Sequence, residues 1–199
     1  SAAAAALPVT PASPLARLAV SLVSGAPNTL LPAENLGRFV AGPVAEVLER
    51  RGLESRDLRP PPLQVLVPAA MAAAYVEDAT PFAALVATAM DARFAHAVLP
   101  AYVELLKQLS LDEMAIIAAA PPLGRFWPAA DCFYSYSSGQ AFAAYRNIVP
   151  DAVRDLVLER SNLPQYIDNL ERLRLVCRQP GSESAGEDYS AMARMGFVQ

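Results

Sequence analysis

Residues 33–52 read AENLGRFVAGPVAEVLERRG, and their pattern indicates a helical fold. Its large apolar residues recur at intervals of three and four, the spacing that places them on one face of a helix. Gly42-Pro43 predicts a kink or break inside this helix, because proline lacks the amide hydrogen and its ring clashes with the preceding turn. Arg50-Arg51-Gly52 predicts the end, with basic residues beside the negative end of the helix dipole. The apolar residues are Leu36, Phe39, Val40, Val44, Val47 and Leu48.

Helical patterns continue on both sides of this stretch. Ser13-Pro14 predicts the start of a helix that Gly25 ends, with serine as the N-cap. The run RPPP over 59–62 is expected to be extended and to lead into a helix. Ser110 and Glu113 form a capping-box pattern for a helix over 111–119. The sequence therefore predicts a mainly α, multi-helix fold, with further helices from about 80 to 91, 100 to 109, 150 to 160 and 163 to 173.

The C-terminal part of the chain departs from this regularity. Residues 121–140 lack helical spacing and predict an irregular loop with a short helical piece. A short strand candidate over 175–177 follows the helix that ends near 173, and a polar turn and a final strand or helix follow over 181–186 and 188–198. This order is typical of a small winged-helix-like α/β element. We therefore expect a flexible lead-in over 1–12, a helical domain over 13–149, and a winged-helix-like subdomain over 150–199 packed on it.

The composition of the 199-residue chain disfavours one class of function and favours another. The net charge is −4, and residues 151–199 carry eight acidic residues against six arginines. Nucleic-acid-binding surfaces are usually basic because they neutralise phosphates, so this composition disfavours a nucleic-acid partner. Hydrophobic residues make up 54% of the chain, whereas charged residues make up only 18%. This apolar surplus favours a surface that binds a protein.

Metal, disulfide and membrane chemistry have little support in the sequence. The chain has a single histidine, His96, and no C-x-x-C motif, so we expect neither a metal nor any other cofactor. Cys132 and Cys177 are expected to be free thiols, although a disulfide between them is left open. The apolar run 15–31 is interrupted by arginine, glycine and proline and is too short to span a bilayer. We therefore expect a cytoplasmic protein, with weak membrane contact of this run as an open alternative.

Several sequence blocks match a known family in their order and spacing. The chain resembles the bacterial Abi-alpha family, a domain associated with abortive infection of phage-infected cells, over roughly residues 47–178. This resemblance implies a role in phage defence without implying a chemistry. The matching blocks are RPPPL over 59–63, LVP over 66–68, ED over 77–78, ATAMD over 87–91, LPAYVELLKQLS over 99–110 and YIDNLERLRLV over 166–176.

Three features depart from the family pattern, and one of them is that alanines replace bulkier residues in the helix before the acidic turn. Leu99-Pro100 stands where the family has histidine-proline, and His96 lies three positions earlier. Arg174 stands where the family has glycine. If that position needs a left-handed backbone conformation, a residue with a β-carbon costs about 1 kcal/mol there.

A polar group of residues in the family blocks is the first candidate site. These residues lie at two predicted helix ends and suit the binding of a charged group. Helix capping and an ordinary surface ion pair are the alternative interpretation. The group consists of Asp91, His96, Glu104, Lys107 and Gln108.

An aromatic group is the second candidate site. Aromatic residues are enriched among the residues that dominate protein interfaces, so the group predicts a partner surface. Anchoring of an irregular loop onto the core is the alternative interpretation. The group consists of Phe126, Trp127, Phe133, Tyr134 and Tyr136.

These features favour a non-enzymatic phage-defence protein that acts through contacts with a protein partner or with itself. No catalytic motif and no small-molecule site is evident in the sequence. Three alternatives are left open. They are a nucleic-acid-binding regulator that uses the C-terminal element, a membrane-associated effector that uses residues 15–31, and an enzyme or toxin with a site around Asp91 and His96.

Overall fold

A computed structural model describes residues 13–24, 32–120, 127 and 129–177 of the chain. The chain divides into two compact units between Gln108 and Leu109. The sequence pattern predicts a boundary near residue 150 instead. The expectations for the lead-in over 1–12 and for the segments 181–186 and 188–198 lie outside the described residues.

The first unit is built from six α-helices in its described part. They are α1 (Pro14–Ser24), α2 (Ala33–Phe39), α3 (Ala45–Arg50), α4 (Leu63–Ala73), α5 (Thr80–Met90) and α6 (Ala101–Leu106). Two 3-10 turns, Ser55–Asp57 and Ala95–Ala97, precede α4 and α6. The predicted N-cap of α1 is confirmed, because the Ser13 hydroxyl accepts a hydrogen bond from the Ala16 amide at 3.0 Å.

The core of the first unit confirms the prediction of α2 and α3 from the spacing of their apolar residues. All six apolar residues of that pattern are buried, and Val40, Val44 and Leu48 are completely inaccessible. They pack with side chains of α4 and α5, including Leu66 and Phe82. Burial of a side chain of this size stabilises the fold by about 1.5–3 kcal/mol. The spacing of residues 33–52 therefore determines which face of this segment meets the core.

Pro43 changes the helix in a specific way. The sequence predicted a kink or break there, and the chain instead forms a single turn of π-helix over Val40–Val44 that joins α2 to α3. A π-turn moves the hydrogen-bonding pattern by one residue, which accommodates a residue that cannot donate. The apolar face therefore continues through the proline.

The second unit combines three α-helices with a β-hairpin in its described part. The helices are α7 (Leu111–Ala118), α8 (Asp151–Arg154) and α9 (Leu163–Arg172). The antiparallel strands are β1 (Ala130–Ser135) and β2 (Ala141–Ile148). The capping box predicted for α7 is confirmed, since the Ser110 side chain accepts from the Glu113 amide and the Glu113 carboxylate accepts from the Ser110 amide. A separate core consists of Ile116, Val149, Val153, Val157, Leu163 and Leu170.

The irregular loop predicted over 121–140 is wrong where the structure describes it. Residues 130–135 form β1, whose aromatic residues favour strands. The sequence did not indicate this strand, because the pairing register of β1 with β2 has two irregularities. Ala130 pairs with Ile148 and Cys132 pairs with Tyr145, so two steps along β1 match three along β2. Such bulges disrupt the alternation by which a strand is recognised.

The helix predicted over 150–160 is also wrong in its length. It ends at Arg154, and a 3-10 turn follows only at Arg160–Asn162. Beyond the end of α8, the amides of Leu158 and Glu159 donate to the carboxylate of Asp112. A side chain from another helix therefore holds the loop that follows α8.

The winged-helix-like element is not confirmed. The strand candidate over 175–177 is wrong, because residues 173–176 form turns and bends after α9. The hairpin of this unit precedes α8 and α9, whereas the predicted wing followed them. The mainly helical fold class is shown, and it includes a two-stranded hairpin in the second unit.

Two further expectations concern the thiols and the membrane. Cys177 is an exposed free thiol, and the Cys132 backbone lies in β1. Among the helices of the described segments, none has both the length and the apolar character that a membrane crossing requires.

Candidate functional site

Asp91 lies at the C-terminal end of α5 and is almost completely buried, with 2% of its surface exposed. Residue 91 also pairs through its backbone with Leu58, which brings the segment before α4 alongside the end of α5. The Asp91 carboxylate accepts three hydrogen bonds from Arg93. The Arg93 amide donates at 3.0 Å, its Nε at 2.9 Å and its Nη2 at 2.8 Å. The carboxylate is therefore satisfied by a bidentate guanidinium two residues away.

The electrostatics of this pair keep Asp91 ionised. The hydrogen bonds from the Arg93 side chain lower the pKa of Asp91, and they outweigh the burial that acts to raise it. The Arg93 amide and the charges of Arg93 and Arg51 lower this pKa further. A general base needs a pKa near the working pH and a free path to a proton. Asp91 meets neither condition, and its geometry suits a structural brace.

The backbone carbonyl of Asp91 fixes the turn that follows α5. The amides of Phe94 and Ala95 donate to it at 3.1 Å and 2.8 Å. The Arg93 guanidinium lies 5.6 Å from the centre of the Phe94 ring, within the range of a cation–π contact. Asp91 thus holds the backbone of 91–95 and, through Arg93, the side chain of Phe94.

The other predicted polar residues do not join Asp91. His96 is exposed in the turn Ala95–Ala97, and in the described part of the chain no side-chain hydrogen bond or ion pair links it to Asp91. On α6, Glu104 pairs with Lys107 at 2.8 Å, and Gln108 donates to the Glu104 backbone carbonyl at 3.1 Å. The structure therefore separates the predicted group into a braced aspartate, an exposed histidine and a helix-surface cluster.

Arg93 is the residue of this region that the sequence analysis missed. The pattern Asp-x-Arg at the end of a helix was its only signal, and such a pattern is common on protein surfaces. Only the burial of Asp91 makes the pairing significant. Within the described segments, no group of three histidine, cysteine, aspartate or glutamate residues could hold a metal ion.

The described members of the aromatic group lie in the second unit. Trp127 is half-buried and packs against the core of this unit. The backbones of Phe133 and Tyr134 lie in β1, where they pair with Ala143 and Phe142. Tyr136, at the turn of the hairpin, has 61% of its surface exposed. Phe126 lies outside the described residues.

Asp112, in the first turn of α7, supports the surface of the second unit. This carboxylate is 8% exposed and accepts from the amides of Leu158 at 2.9 Å and Glu159 at 3.2 Å. Burial acts to raise the pKa of Asp112, but these amides and the Tyr166 side chain lower it, and the net effect is a lowered pKa. Asp112 is thus an ionised anchor for the loop that follows α8.

Asn147 connects the hairpin to α9. It is buried, it has a φ of 54°, and its side-chain amide donates to the Pro164 carbonyl at 3.0 Å and to Asp168 at 2.9 Å. Its backbone amide donates to the Asp131 carboxylate at 2.8 Å. Asparagine tolerates the left-handed conformation better than most residues, which suits it to this position in the bulge of β2.

Fold and sites together define a mainly helical protein of two compact units, in which buried carboxylates brace exposed loops. The family model described as "abortive infection alpha" matches residues 38–197, most of the chain. The chain belongs to this family, which associates it with abortive infection. Neither a curated protein nor a solved structure matches the chain.

Proposed function

We propose that this chain acts in phage defence without catalysing a reaction, by binding a protein through the exposed aromatic residues of its hairpin. The observation that carries the proposal is the exposure of Tyr136 and Tyr145, with 61% and 45% of their surfaces accessible. Tyrosine combines a large apolar surface with a hydroxyl that can hydrogen-bond, and it is enriched among the residues that dominate interfaces.

The backbone of the hairpin turn supports this role. The Tyr136 amide donates to the Gln140 carbonyl at 2.8 Å, and the Gly139 amide donates to the Tyr136 carbonyl at 2.9 Å. Gly139 has a φ of 81°, a conformation that glycine adopts without strain. A ring presented by an ordered turn loses less entropy on binding than one on a loose segment. Trp127 lies shortly before the hairpin in the sequence and packs on the core of the second unit. In this proposal, Trp127 anchors the hairpin surface.

The experiment compares two exposed tyrosines, one in the hairpin and one in the first unit. Tyr136→Ala should lower protection against phage, measured as plaque counts on cells that express the chain, and should reduce capture of the bound protein from infected cells. Tyr75→Ala is the matched control, because Tyr75 is 90% exposed in the first unit, away from the hairpin in sequence. Equal protection by both variants would contradict a role of the hairpin surface.

A second variant tests the part of the proposal that gives this chain no catalytic activity. His96 is exposed, so His96→Ala should leave the fold intact. Full protection by this variant is expected, since the proposal gives the histidine no chemical role. Loss of protection in a normally folded variant would favour the enzyme or toxin alternative.

A further inference from the structure

The outer edge of β1 has no neighbouring strand in the described part of the chain. The sheet consists there of β1 and β2 alone, so each strand pairs on one side only. An edge strand presents a row of backbone amides and carbonyls that can pair with another strand. With six residues, β1 has an ordinary strand length, which is sufficient for such pairing.

The hydrogen bonds of the turn determine which backbone groups of β1 point outward. The Tyr136 amide donates to the Gln140 carbonyl at 2.8 Å, so these two residues form a hydrogen-bonded pair. Hydrogen-bonded and non-hydrogen-bonded pairs alternate along an antiparallel ladder. Phe133 and Ser135 therefore belong to non-hydrogen-bonded pairs with β2, and their amides and carbonyls point away from it.

The outer edge of β1 is regular because the extra residues of the hairpin lie in β2. Ala130 and Cys132 are two positions apart, whereas their partners Ile148 and Tyr145 are three apart. The next step along β1 again matches a longer step along β2. The strand that carries the extra residue is the one that bends at a bulge. From 133 to 135 the pairing has no irregularity.

The sequence of this edge lacks the residues that usually prevent strand pairing. Natural edge strands are often protected by lysine, by proline or by a charge that points into the new contact. Residues 129–140 contain no lysine, arginine or proline, and Asp131 is their only charged residue. The Asp131 carboxylate accepts from the Asn147 amide of β2 at 2.8 Å. This charge is therefore held by the strand on the other side.

The outer edge of β2 differs in each of these respects. It contains the bulges, and it carries the charge of Arg146. Its C-terminal end is attached to α9, because the Asn147 side chain donates to Asp168 at 2.9 Å. Of the two edges, that of β1 is therefore the better template for a further strand.

We propose that two copies of this chain pair through the outer edges of β1, antiparallel and around a two-fold axis at Tyr134. In this register, Phe133 of each copy lies opposite Ser135 of the other, and each such pair exchanges both backbone hydrogen bonds. The pattern is complementary to itself, which favours a second copy over an unrelated strand. Asp131 of each copy lies opposite Ser137 of the other, so like charges do not face each other.

The inference rests on the proposed function, in which the hairpin binds a protein, and it names that protein as a second copy. The register places Tyr136, which is 61% exposed, alongside the strand of the other copy. A contact of one strand per copy is small, so we expect weak, reversible association. The two-fold axis uses the same edge of both copies, so association should stop at the dimer.

The first test is sedimentation velocity of the purified full chain over a range of concentrations. The wild-type mass should rise with concentration towards that of a dimer. Ser135→Pro removes an outward amide but no hydrogen bond to β2, and it should weaken association about tenfold or more. Ala141→Pro is the matched control, because Ala141 lies opposite Ser135 and its amide points to the outer edge of β2. This variant should associate like the wild type, and circular dichroism confirms that each variant is folded.

Cysteine cross-linking tests the register without introducing proline. Tyr134→Cys, in a chain that also carries Cys132→Ser and Cys177→Ser, places one thiol of each copy on the proposed axis. The Cα atoms of a non-hydrogen-bonded pair are about 4.5 Å apart, which is within reach of a disulfide. Mild oxidation should therefore yield a covalent dimer. Phe142→Cys in the same background is the matched control on β2 and should stay a monomer.

Three results would overturn the proposal. The first is a wild-type mass that stays at one chain at every concentration, which would leave the edge of β1 to a strand of another protein. The second is a Tyr134→Cys variant that oxidation does not cross-link. The third is an Ala141→Pro variant that loses association as completely as Ser135→Pro. A monomeric wild type together with loss of protection in Tyr136→Ala would refute this inference alone and support the proposed function.

Discussion

Replacing Arg174 with glycine should stabilise the second unit, because this arginine occupies a backbone conformation that suits glycine. Arg174 directly follows the C-cap of α9 and has a φ of 61°. Its amide donates to the Glu171 carbonyl at 3.0 Å, and the Leu175 amide donates to the Leu170 carbonyl at 3.0 Å. This pair of bonds is the Schellman motif, in which the residue after the cap is usually glycine.

The expected gain follows from two opposing contributions. A β-carbon in the left-handed region costs about 1–2 kcal/mol. Glycine is more flexible in the unfolded chain, which stabilises the unfolded state and reduces the gain by about 0.4–1 kcal/mol. The net increase in the free energy of unfolding is therefore about 0.5–1 kcal/mol. Arg174 is exposed, so removal of its side chain sacrifices little packing.

Urea unfolding followed by tryptophan fluorescence measures this gain. Trp127 is the only tryptophan of the chain and packs against the core of the second unit, so its emission reports on that unit. With an unfolding slope of about 1–3 kcal/mol per molar urea, the midpoint should rise by about 0.2–1 M. Arg174→Ala is the matched control, because it removes the guanidinium but keeps the β-carbon. An equal rise in midpoint for both variants would refute the backbone explanation.

Three further predictions concern positions that the structure identifies as strained or buried. Gly52→Ala should destabilise the chain by about 1 kcal/mol in urea unfolding, because Gly52 has a φ of 63° after α3 and the added methyl meets open space, so that only the backbone is affected. Asn147→Ala should cost about 2–3 kcal/mol through two lost hydrogen bonds, and Asn147→Gly, which relieves the backbone but not those bonds, should restore only part of the loss. Asp112→Asn should cost about 1–3 kcal/mol at neutral pH. The pKa of Asp112 is lowered in the folded chain, so its contribution is full above the ordinary value of about 3.9 and is lost as the pH falls through the lowered value. A difference between wild type and Asp112→Asn that did not shrink in acid would contradict this assignment.

The helices of the first unit could be predicted because each carries its own signal. The spacing from Leu36 to Leu48 identifies the buried face, and Ser13 and Pro14 identify the start of α1. These signals act within one or two helical turns and need no knowledge of the rest of the chain. The π-turn at Pro43 is harder to predict, because a helix break and a π-turn both remove the hydrogen bond that proline cannot donate. Core packing on both sides of the proline favours the continuous form.

The hairpin illustrates a signal that was present and misread. Phe133, Tyr134 and Phe142 favour strands, and Gly139 marks the turn between them. The two bulges in the ladder remove the regular alternation, so the aromatic residues resembled those of an irregular loop. The position of Arg174 is the opposite case. Its departure from the glycine of the family identified the residue at which the structure has a left-handed backbone.

The contacts that shape the candidate surfaces could not be predicted from local sequence. Asp112 is an acidic residue in the first turn of a helix, where favourable interaction with the helix dipole is a sufficient explanation. Its bond to the Leu158 amide spans 46 residues and exists only in the folded chain. That bond holds the loop after α8, where the side chain of Leu158 is exposed. Asp91 plays the same part for Phe94 within its own unit. Two carboxylates that the sequence presents as helix-end residues therefore hold the backbone of the loops on which Leu158 and Phe94 are exposed.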